Sequence, residues 1–271
     1  MLNFNYVIEQ IEYDSAFQKY LGDNHYPYTS VPTIGYYAGH YEKLDKDSSV
    51  FLGSVITAEK LIRDGWPHIW LNDKFRWTAY APKLGNLLIN SDALCVTLGD
   101  LLEQWGDIDH LKHGSAFVRP DSYKKIFSGM AIHKDGKASF EDALSFYGVE
   151  NPATPVIISS VKEIVYEYRF ICYADWVVTG CQYMKDGDLL VTCAYTQDAF
   201  RIADLAIDAL SEFLGVPFFV VDVGKYEGLY GVVEINAFNT SGFYACSPHP
   251  INDMLCRYFM GQKFKNQHTG S

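Results

Sequence analysis

The chain has 271 residues, of which 48% are hydrophobic and 20% are charged, and its formal net charge is −11 at pH 7. This is the composition of a globular protein with enough apolar residues for one large domain or two small ones. The excess of 33 acidic over 22 basic residues argues against a general binder of the nucleic-acid backbone. No apolar run is long enough to span a membrane, so we expect no membrane insertion.

The N-terminal stretch MLNFNYVIEQIEYDS is acidic and lacks the basic region of a signal peptide. The six cysteines show no Cys-x-x-Cys spacing, and several lie in apolar runs. Both features favour a cytoplasmic protein with free, buried thiols. The polar tail, residues 263–271, predicts disorder, and no feature of the sequence predicts an oligomeric state.

Residues 1–90 are rich in aromatic side chains and turns and are predicted to form a separate N-terminal domain. A strand is expected at Tyr6–Ile11, and a later strand precedes a helix from about Thr57 to Arg63. The turn Gly53-Ser54 between them could present helix N–H groups to an anion, although the spacing alone fits a plain strand-to-helix turn better. The aromatic stretch 66–90 is expected to be a wall or loop without regular structure.

A boundary near Asn90 is predicted to open a second domain, residues 91–262. Its elements up to the middle of the domain are a helix over Leu98–Trp105, strands over Ser115–Pro120 and Pro155–Ser159, and a strand and short helix within 131–150. Antiparallel strands follow, and then a helix over Ala199–Leu214 whose apolar residues lie on one face. Gly215 is expected to end that helix.

The strongest chemical signal is a predicted hairpin near the end of this domain. Its strands, Phe218–Val223 and Tyr230–Asn236, are joined by the loop GKYEGL. Asp222, Glu234 and Asn236 interrupt the apolar runs at even positions, so symmetric pairing puts all three on one face. Two carboxylates and a carboxamide are hard oxygen ligands that suit Mg²⁺. A polar, solvated hairpin face is the alternative that the residues leave open.

The pattern of Asp222, a loop, Val-Val-Glu-Ile-Asn and then Ser-Gly resembles the end of an ATP-grasp domain. That resemblance implies an α+β fold in which two antiparallel-sheet subdomains enclose ATP, with residues 1–90 as an N-terminal α/β domain that completes the substrate cleft. It also implies that Asp222, Glu234 and Asn236 hold the Mg²⁺ ions that bridge the ATP phosphates.

The motif F-V-R-P at Phe117–Pro120 is similar to the ATP-grasp strand whose terminal cation contacts the α and β phosphates. That cation is usually Lys, whereas here it is Arg119. Followed by S-x-x-K-x-F-x-G, the motif resembles an ATP-grasp clade of bacteria and phages with Arg in this place. The resemblance implies Arg119 and Lys125 as phosphate-binding cations, with Lys124 as the rival of Lys125. Without the resemblance, both lysines would be read as solvated loop residues.

The resemblance further predicts how the nucleoside is held. A hinge that includes Ser160, Val161 and Ile164 would contact adenine through its backbone. Glu167 would bond the ribose hydroxyls, and Arg169 would face the phosphate or acyl phosphate. From the residues alone, a cross-strand ion pair between Glu167 and Arg169 is an equal alternative.

The predicted function is an ATP- and Mg²⁺-dependent carboxylate–amine ligase that forms an acyl phosphate, with an amino acid or peptide as a possible substrate. The turn with Asn239, Ser241 and Gly242 is implied to hold the acceptor or the substrate carboxylate. Catalysis would rest on positioning and charge neutralisation. The implied catalytic cations are Arg119, Lys125 and Arg169. The alternatives are an ATP-dependent kinase on the same fold and a non-catalytic nucleotide- or peptide-binding module.

Overall fold

The computed structural model describes residues 4–10, 15–124 and 126–261. Its first sheet is parallel, with the strand order β2-β1-β3. The strands are β1, Asn5–Glu9, β2, Tyr28–Val31, and β3, Ser49–Leu52. The expected first strand is therefore confirmed over its described part, and the α/β character of the N-terminal region is evident from the helices around this sheet.

Three α-helices accompany the parallel sheet: α1, Ser15–Asp23, α2, Val55–Arg63, and α3, Trp77–Leu84. The predicted helix α2 begins two residues earlier than expected, because the Ser54 hydroxyl accepts a hydrogen bond from the Thr57 N–H and caps it. Helix α3 corrects the expectation that 66–90 lacks regular structure. Pro82 lies inside it, and an interior proline normally argues against a helix because it has no N–H to donate.

The second sheet has four antiparallel strands in the order β4-β7-β5-β6. They are β4, Leu94–Thr97, β5, Ser115–Pro120, β6, Met130–His133, and β7, Pro155–Ser160. The helices α4, Leu98–Glu103, α5, Asp109–Lys112, and α6, Lys137–Phe146, bury Leu101, Leu111 and Phe140 against its apolar face. The bounds of β5 match the prediction, which leaves Arg119 next to the end of that strand.

The third sheet has five antiparallel strands in the order β10-β9-β8-β11-β12. Its strands are β8, Ile164–Tyr173, β9, Trp176–Lys185, β10, Asp188–Thr192, β11, Phe218–Tyr226, and β12, Leu229–Ala237. Helix α7, Gln197–Leu214, covers one face with α3, and Gly215 ends it in the left-handed conformation, as predicted. The other face packs on helix α8, Pro248–Phe259, and on side chains of β1 and β3.

The hairpin of β11 and β12 is longer than the sequence indicated. Its strands continue to Tyr226 and Leu229, so the turn is Glu227-Gly228 rather than the six-residue loop GKYEGL. Both turn residues have positive φ, 48° and 80°. This is the geometry that two-residue hairpins with right-handed strand twist require. The longer strands keep Asp222 and Glu234 well inside the ladder.

The parallel and antiparallel parts of the chain are connected at residues 88–90, where the Ile89 N–H donates to the Val232 carbonyl at 3.0 Å. All six cysteines are free, but only Cys172, Cys181 and Cys246 are fully buried, which corrects the expectation for the others. Among the described residues, no helix has the length and apolarity needed to cross a membrane.

Candidate active site

A cavity of about 380 Å³ opens between the four-stranded and five-stranded sheets. Phe117, Arg119 and Pro120 of β5 line one wall, and Glu167 of β8 and Glu234 of β12 line the opposite one. The loop after β5 and the connection between β7 and β8 close its ends. A mixed polar and apolar cleft of this kind, with converging charged groups, has the features of a ligand site.

The predicted common face of the hairpin is confirmed. Asp222 and Glu234 are direct partners in the β11–β12 ladder, and the register returns Asn236 to the same face. The Asn236 Nδ2 donates to Asp222 Oδ2 at 2.9 Å and to Glu234 Oε1 at 2.7 Å. One nitrogen thus contacts both carboxylates, which shows that the two acids converge on one point.

This donor set fits a divalent cation. Two carboxylates are the number that Mg²⁺ takes from proteins when substrate phosphates complete its shell. Over the described residues, no group of three or more His, Cys, Asp and Glu residues could hold a metal by itself. Asn236 turns its nitrogen toward the acids, so its carboxamide would have to rotate to offer oxygen to a cation there.

Arg169 on β8 forms a two-bonded ion pair with Asp222, its cross-strand partner on β11. Its Nε and Nη2 donate to the two carboxylate oxygens at 2.9 and 2.7 Å, and its Nη1 donates to the Gly242 carbonyl at 2.8 Å. Burial would lower the pKa of Arg169, but the charge of Asp222 outweighs it and raises that pKa. The alternative pairing of Arg169 with Glu167 is therefore wrong.

Two tyrosines that the sequence did not indicate enclose this arginine. The rings of Tyr183 and Tyr244 stack at 4.9 Å with an interplanar angle of 6°. The Arg169 Cζ lies 5.4 and 5.0 Å from their centroids, within the range of cation–π contacts. Tyr244 has a φ of 50°, which is rare for a bulky residue. The tyrosines come from distant parts of the sequence, so no local pattern could have revealed them.

Arg119 reaches across the cavity to the opposite sheet. Its Nη2 lies 3.1 Å from Glu234 Oε2, and both side chains keep some contact with solvent. Burial would lower the pKa of Arg119, but Glu234 outweighs that effect and raises it. The contact brings the predicted phosphate cation and a predicted metal ligand together.

Lys125 lies outside the described residues. Its rival Lys124 is engaged elsewhere, since its Nζ lies 2.7 Å from Glu59 Oε1 on helix α2. That contact directs Lys124 toward the N-terminal region.

The predicted hinge residues Ser160, Val161 and Ile164 all line the cavity. The Ser160 N–H and hydroxyl donate to Asp92 Oδ2 at 2.9 and 2.6 Å, and Lys162 pairs with Asp92 Oδ1 at 2.9 Å. Burial would raise the pKa of Asp92, but these bonds outweigh it and lower the pKa to about 2. Lys162 also lines the cavity and was not predicted.

Glu167 accepts a hydrogen bond from the Tyr183 hydroxyl and faces the cavity. Burial raises the pKa of Glu167 to about 6, although the bond from Tyr183 acts in the opposite direction. Of the predicted residues, Glu167 is thus the one whose protonation changes nearest to neutral pH.

The turn after β12 is fixed mainly to the rest of the protein. Asn239 is 1% exposed, and its Nδ2 donates to the carbonyls of Phe51 and His68 at 2.7 and 3.1 Å. Its Oδ1 accepts from the Trp70 N–H at 2.6 Å. The Ser241 hydroxyl donates to a backbone carbonyl at 2.8 Å. These contacts give Asn239 a structural role, and its predicted contact with a substrate stays a prediction.

The turn Gly53-Ser54 does meet an anion, but the anion belongs to the protein. The Ser54 N–H donates to Glu9 Oε2 at 2.6 Å, and the Thr57 hydroxyl donates to Glu9 Oε1 at 2.8 Å. Glu9 is fully buried. Its carboxylate occupies the start of α2, where the unpaired N–H groups of a helix favour negative charge.

A family model described as an ATP-grasp domain, the second family of its clade, matches residues 101–254. The chain belongs to this ATP-grasp family. Both the recognition made from F-V-R-P and the hairpin and the predicted α+β ATP-grasp fold are confirmed. No curated protein matches the sequence.

Solved structures of ATP-grasp ligases share the fold. D-cycloserine synthetase DcsG superposes with a TM-score of 0.63 at 14% identity, over 94% of this chain and 99% of that one. D-alanine–D-alanine ligase from Bacillus anthracis gives 0.56 at 12% identity, over 94% and 92%. The ATP-grasp ligase PsnB, in complex with a minimal precursor, gives 0.54 at 12% identity, over 97% and 100%.

Proposed function

We propose that this ATP-grasp protein is an ATP- and Mg²⁺-dependent carboxylate–amine ligase. The observation that best supports the proposal is the 3.1 Å contact of Arg119 with Glu234 across the cavity. It joins a phosphate-binding type of cation on one sheet to a metal-binding type of acid on the other. A triphosphate with its cation needs that combination of charges.

In the proposed reaction, a carboxylate oxygen of the substrate attacks the γ phosphorus of ATP and ADP leaves. An amine then attacks the acyl carbon, inorganic phosphate leaves, and the nitrogen loses a proton. Asp222, Glu234 and Asn236 would hold Mg²⁺, which neutralises phosphate charge when bound. Arg119 and Lys125 would orient the phosphates by direct contact.

The remaining predicted residues complete the proposal. Ser160, Val161 and Ile164 would line the adenine, and Glu167 would accept from the ribose hydroxyls. Arg169, once it faces a phosphate or acyl phosphate, would stabilise the charge that develops there. The turn with Ser241 and Gly242 would contact the substrate.

We propose an amino acid or a peptide as the carboxylate substrate. The support comes from relatives in fold whose descriptions name D-cycloserine synthesis, the joining of D-alanine to D-alanine, and a precursor peptide. Residues 1–90 would form the substrate-side domain and residues 91–262 the ATP-grasp domain. An enzyme that consumes ATP agrees with the cytoplasmic location expected from the sequence.

The test is to incubate the protein with ATP, Mg²⁺ and pools of carboxylates and amines, and to follow ADP release. A ligase should release ADP rapidly only with both substrates, and hydroxylamine should trap a hydroxamate when the amine is withheld. Glu234→Gln is the control for contaminating ATPases. A persistent phosphomonoester in the phosphorus NMR spectrum, without hydroxamate, would instead show a kinase. ATP binding without ADP release from any pool would favour the non-catalytic module.

A further inference from the structure

Helix α2 is attached to the start of the loop that follows β5. Glu59 of α2 presents a single carboxylate oxygen, Oε1, to two side chains of that loop. The Lys124 Nζ lies 2.7 Å from this oxygen, and the Tyr123 hydroxyl donates to it at 3.0 Å. Burial would raise the pKa of Glu59, but these two bonds outweigh it and lower that pKa. Glu59 is therefore charged and engaged at neutral pH.

The same stretch of loop has a second attachment to the N-terminal region. Asp121 is 2% exposed and accepts hydrogen bonds from the Thr78 N–H, at 3.1 Å, and from the Thr78 hydroxyl. Thr78 belongs to the first turn of α3, where a carboxylate is favourable. Residues 121–124 are thus held from two helices that precede Asn90.

These four residues stand between the nucleotide cavity and the hairpin. Ser122 lines the cavity, and its hydroxyl accepts a hydrogen bond from the Lys124 N–H at 3.1 Å. Tyr123 borders a small gap that Arg119, Asn236 and Thr240 also line. A shift of Tyr123 or Lys124 would therefore move a wall of the cavity and a neighbour of Arg119.

We propose that Glu59 is a positioning residue for the nucleotide site. It touches no substrate and acts by holding residues 121–124 against α2. The inference rests on the proposed binding of ATP in the adjacent cavity. The other end of α2 also reaches the site, because the Gly53 N–H, just before the helix, donates to the Asn239 carbonyl at 2.9 Å. Helix α2 thus connects the nucleotide wall to the turn that follows the hairpin.

The experiment uses Glu59→Lys, Lys124→Glu and the double reversal that restores opposite charges. Hydrogen exchange of the free protein reports the backbone of 121–124, and calorimetry reports ATP affinity. For either single variant we expect exchange about 3- to 10-fold faster in that segment and ATP binding weaker by a similar factor, a little more than an exposed ion pair alone would give. The double reversal should recover most of both. At saturating ATP, kcat should stay near the wild-type value while KM for ATP rises.

The matched control is the exposed pair of Lys112 and Asp109, whose Nζ and Oδ1 lie 2.8 Å apart. Its reversal should change neither quantity. Tyr123→Phe keeps the ring and both charges and should show a smaller effect of the same kind, even if a charge variant folds poorly. Wild-type exchange in 121–124 for both Glu59→Lys and Tyr123→Phe would overturn the inference. So would a double reversal that recovers nothing. Exchange needs no nucleotide, so a wild-type protein that binds no ATP would refute the proposed function and leave this test intact.

Discussion

Arg169 and Asp222 face each other on neighbouring strands and share two hydrogen bonds, with side chains that are only 7% and 0% exposed. Each is the main counter-charge of the other. A predicted metal ligand therefore also has a structural duty, which the sequence did not show. Mutations at this pair affect folding as well as chemistry.

Asp222→Asn should lower the free energy of unfolding by about 3 kcal/mol, because it leaves a buried guanidinium without its counter-charge. Chemical denaturation at pH 7 measures this loss. Asp208→Asn, on the exposed side of α7, removes the same charge and should change stability by less than about 0.5 kcal/mol. Equal stability of the two variants would show that the ion pair contributes little.

Glu234→Gln gives the cleaner test of the metal site, because Glu234 keeps contact with solvent and its partner Arg119 does as well. The change preserves size and removes the charge that a cation needs. We expect Mg²⁺-dependent turnover to fall by more than about 10²-fold, as for the loss of a major electrostatic stabiliser. Steady-state ADP release measures it, and a circular dichroism spectrum checks the fold. Undiminished turnover would remove Glu234 from the site.

Arg119→Ala should weaken ATP binding, because a guanidinium next to the cavity offers two donors to phosphate oxygens. We expect a loss of about 10-fold or more, and partial recovery with Arg119→Lys, which restores charge but not the planar fork. Isothermal calorimetry measures both. Arg201→Ala, on the exposed face of α7, is the matched control. Wild-type affinity in Arg119→Ala would contradict the F-V-R-P interpretation.

Glu167 should make stability depend on pH. Its folded pKa of about 6 lies above the usual 4.5, so the folded protein binds more protons than the unfolded chain between these values. Stability from this group is fully present below pH 4.5 and is lost as the pH rises through 6. Glu167→Gln should remove this slope and stabilise the protein at pH 8 by up to about 2 kcal/mol. Denaturation curves at pH 5, 6.5 and 8 measure the difference, and parallel profiles for wild type and variant would refute it.

Asn239→Ala should destabilise the protein more than it weakens substrate binding. The change leaves the Trp70 N–H and two backbone carbonyls without their partner, and each buried unpaired group costs about 1–3 kcal/mol. Ser241→Ala removes one hydrogen bond to a carbonyl and should cost about 1 kcal/mol. Thermal unfolding compares the two variants. If both melt together, Asn239 is not an anchor and a substrate role regains support.

The sequence predicted the hairpin face well because acids inside apolar strands are conspicuous and because strand alternation fixes the side of each residue. It also predicted α7, whose cap, apolar face and terminal glycine agree. It missed α8, although Ile251, Met254 and Leu255 follow helical spacing and are buried. That signal was present and would have supported a helix.

The partners of the site residues were beyond local reasoning. Arg169 is enclosed by tyrosines from β9 and from a turn beyond the hairpin, and Glu59 meets a loop more than sixty positions away. Only the fold brings such residues together. The hairpin loop was also predicted too wide, because GKYEGL contains strand residues that pair on both sides of a two-residue turn.

The nitrogen of Asn236 that contacts both acids has a thermodynamic consequence. A cation that takes these oxygens must displace this donor and compete with Arg119 and Arg169. An anion that draws the two guanidinium groups toward itself would release the same oxygens. Linkage then requires that the anion raises the affinity for the cation, and the cation raises the affinity for the anion, by one common factor. Nucleotide and metal should therefore bind this hairpin cooperatively, with neither affinity defined apart from the concentration of the other.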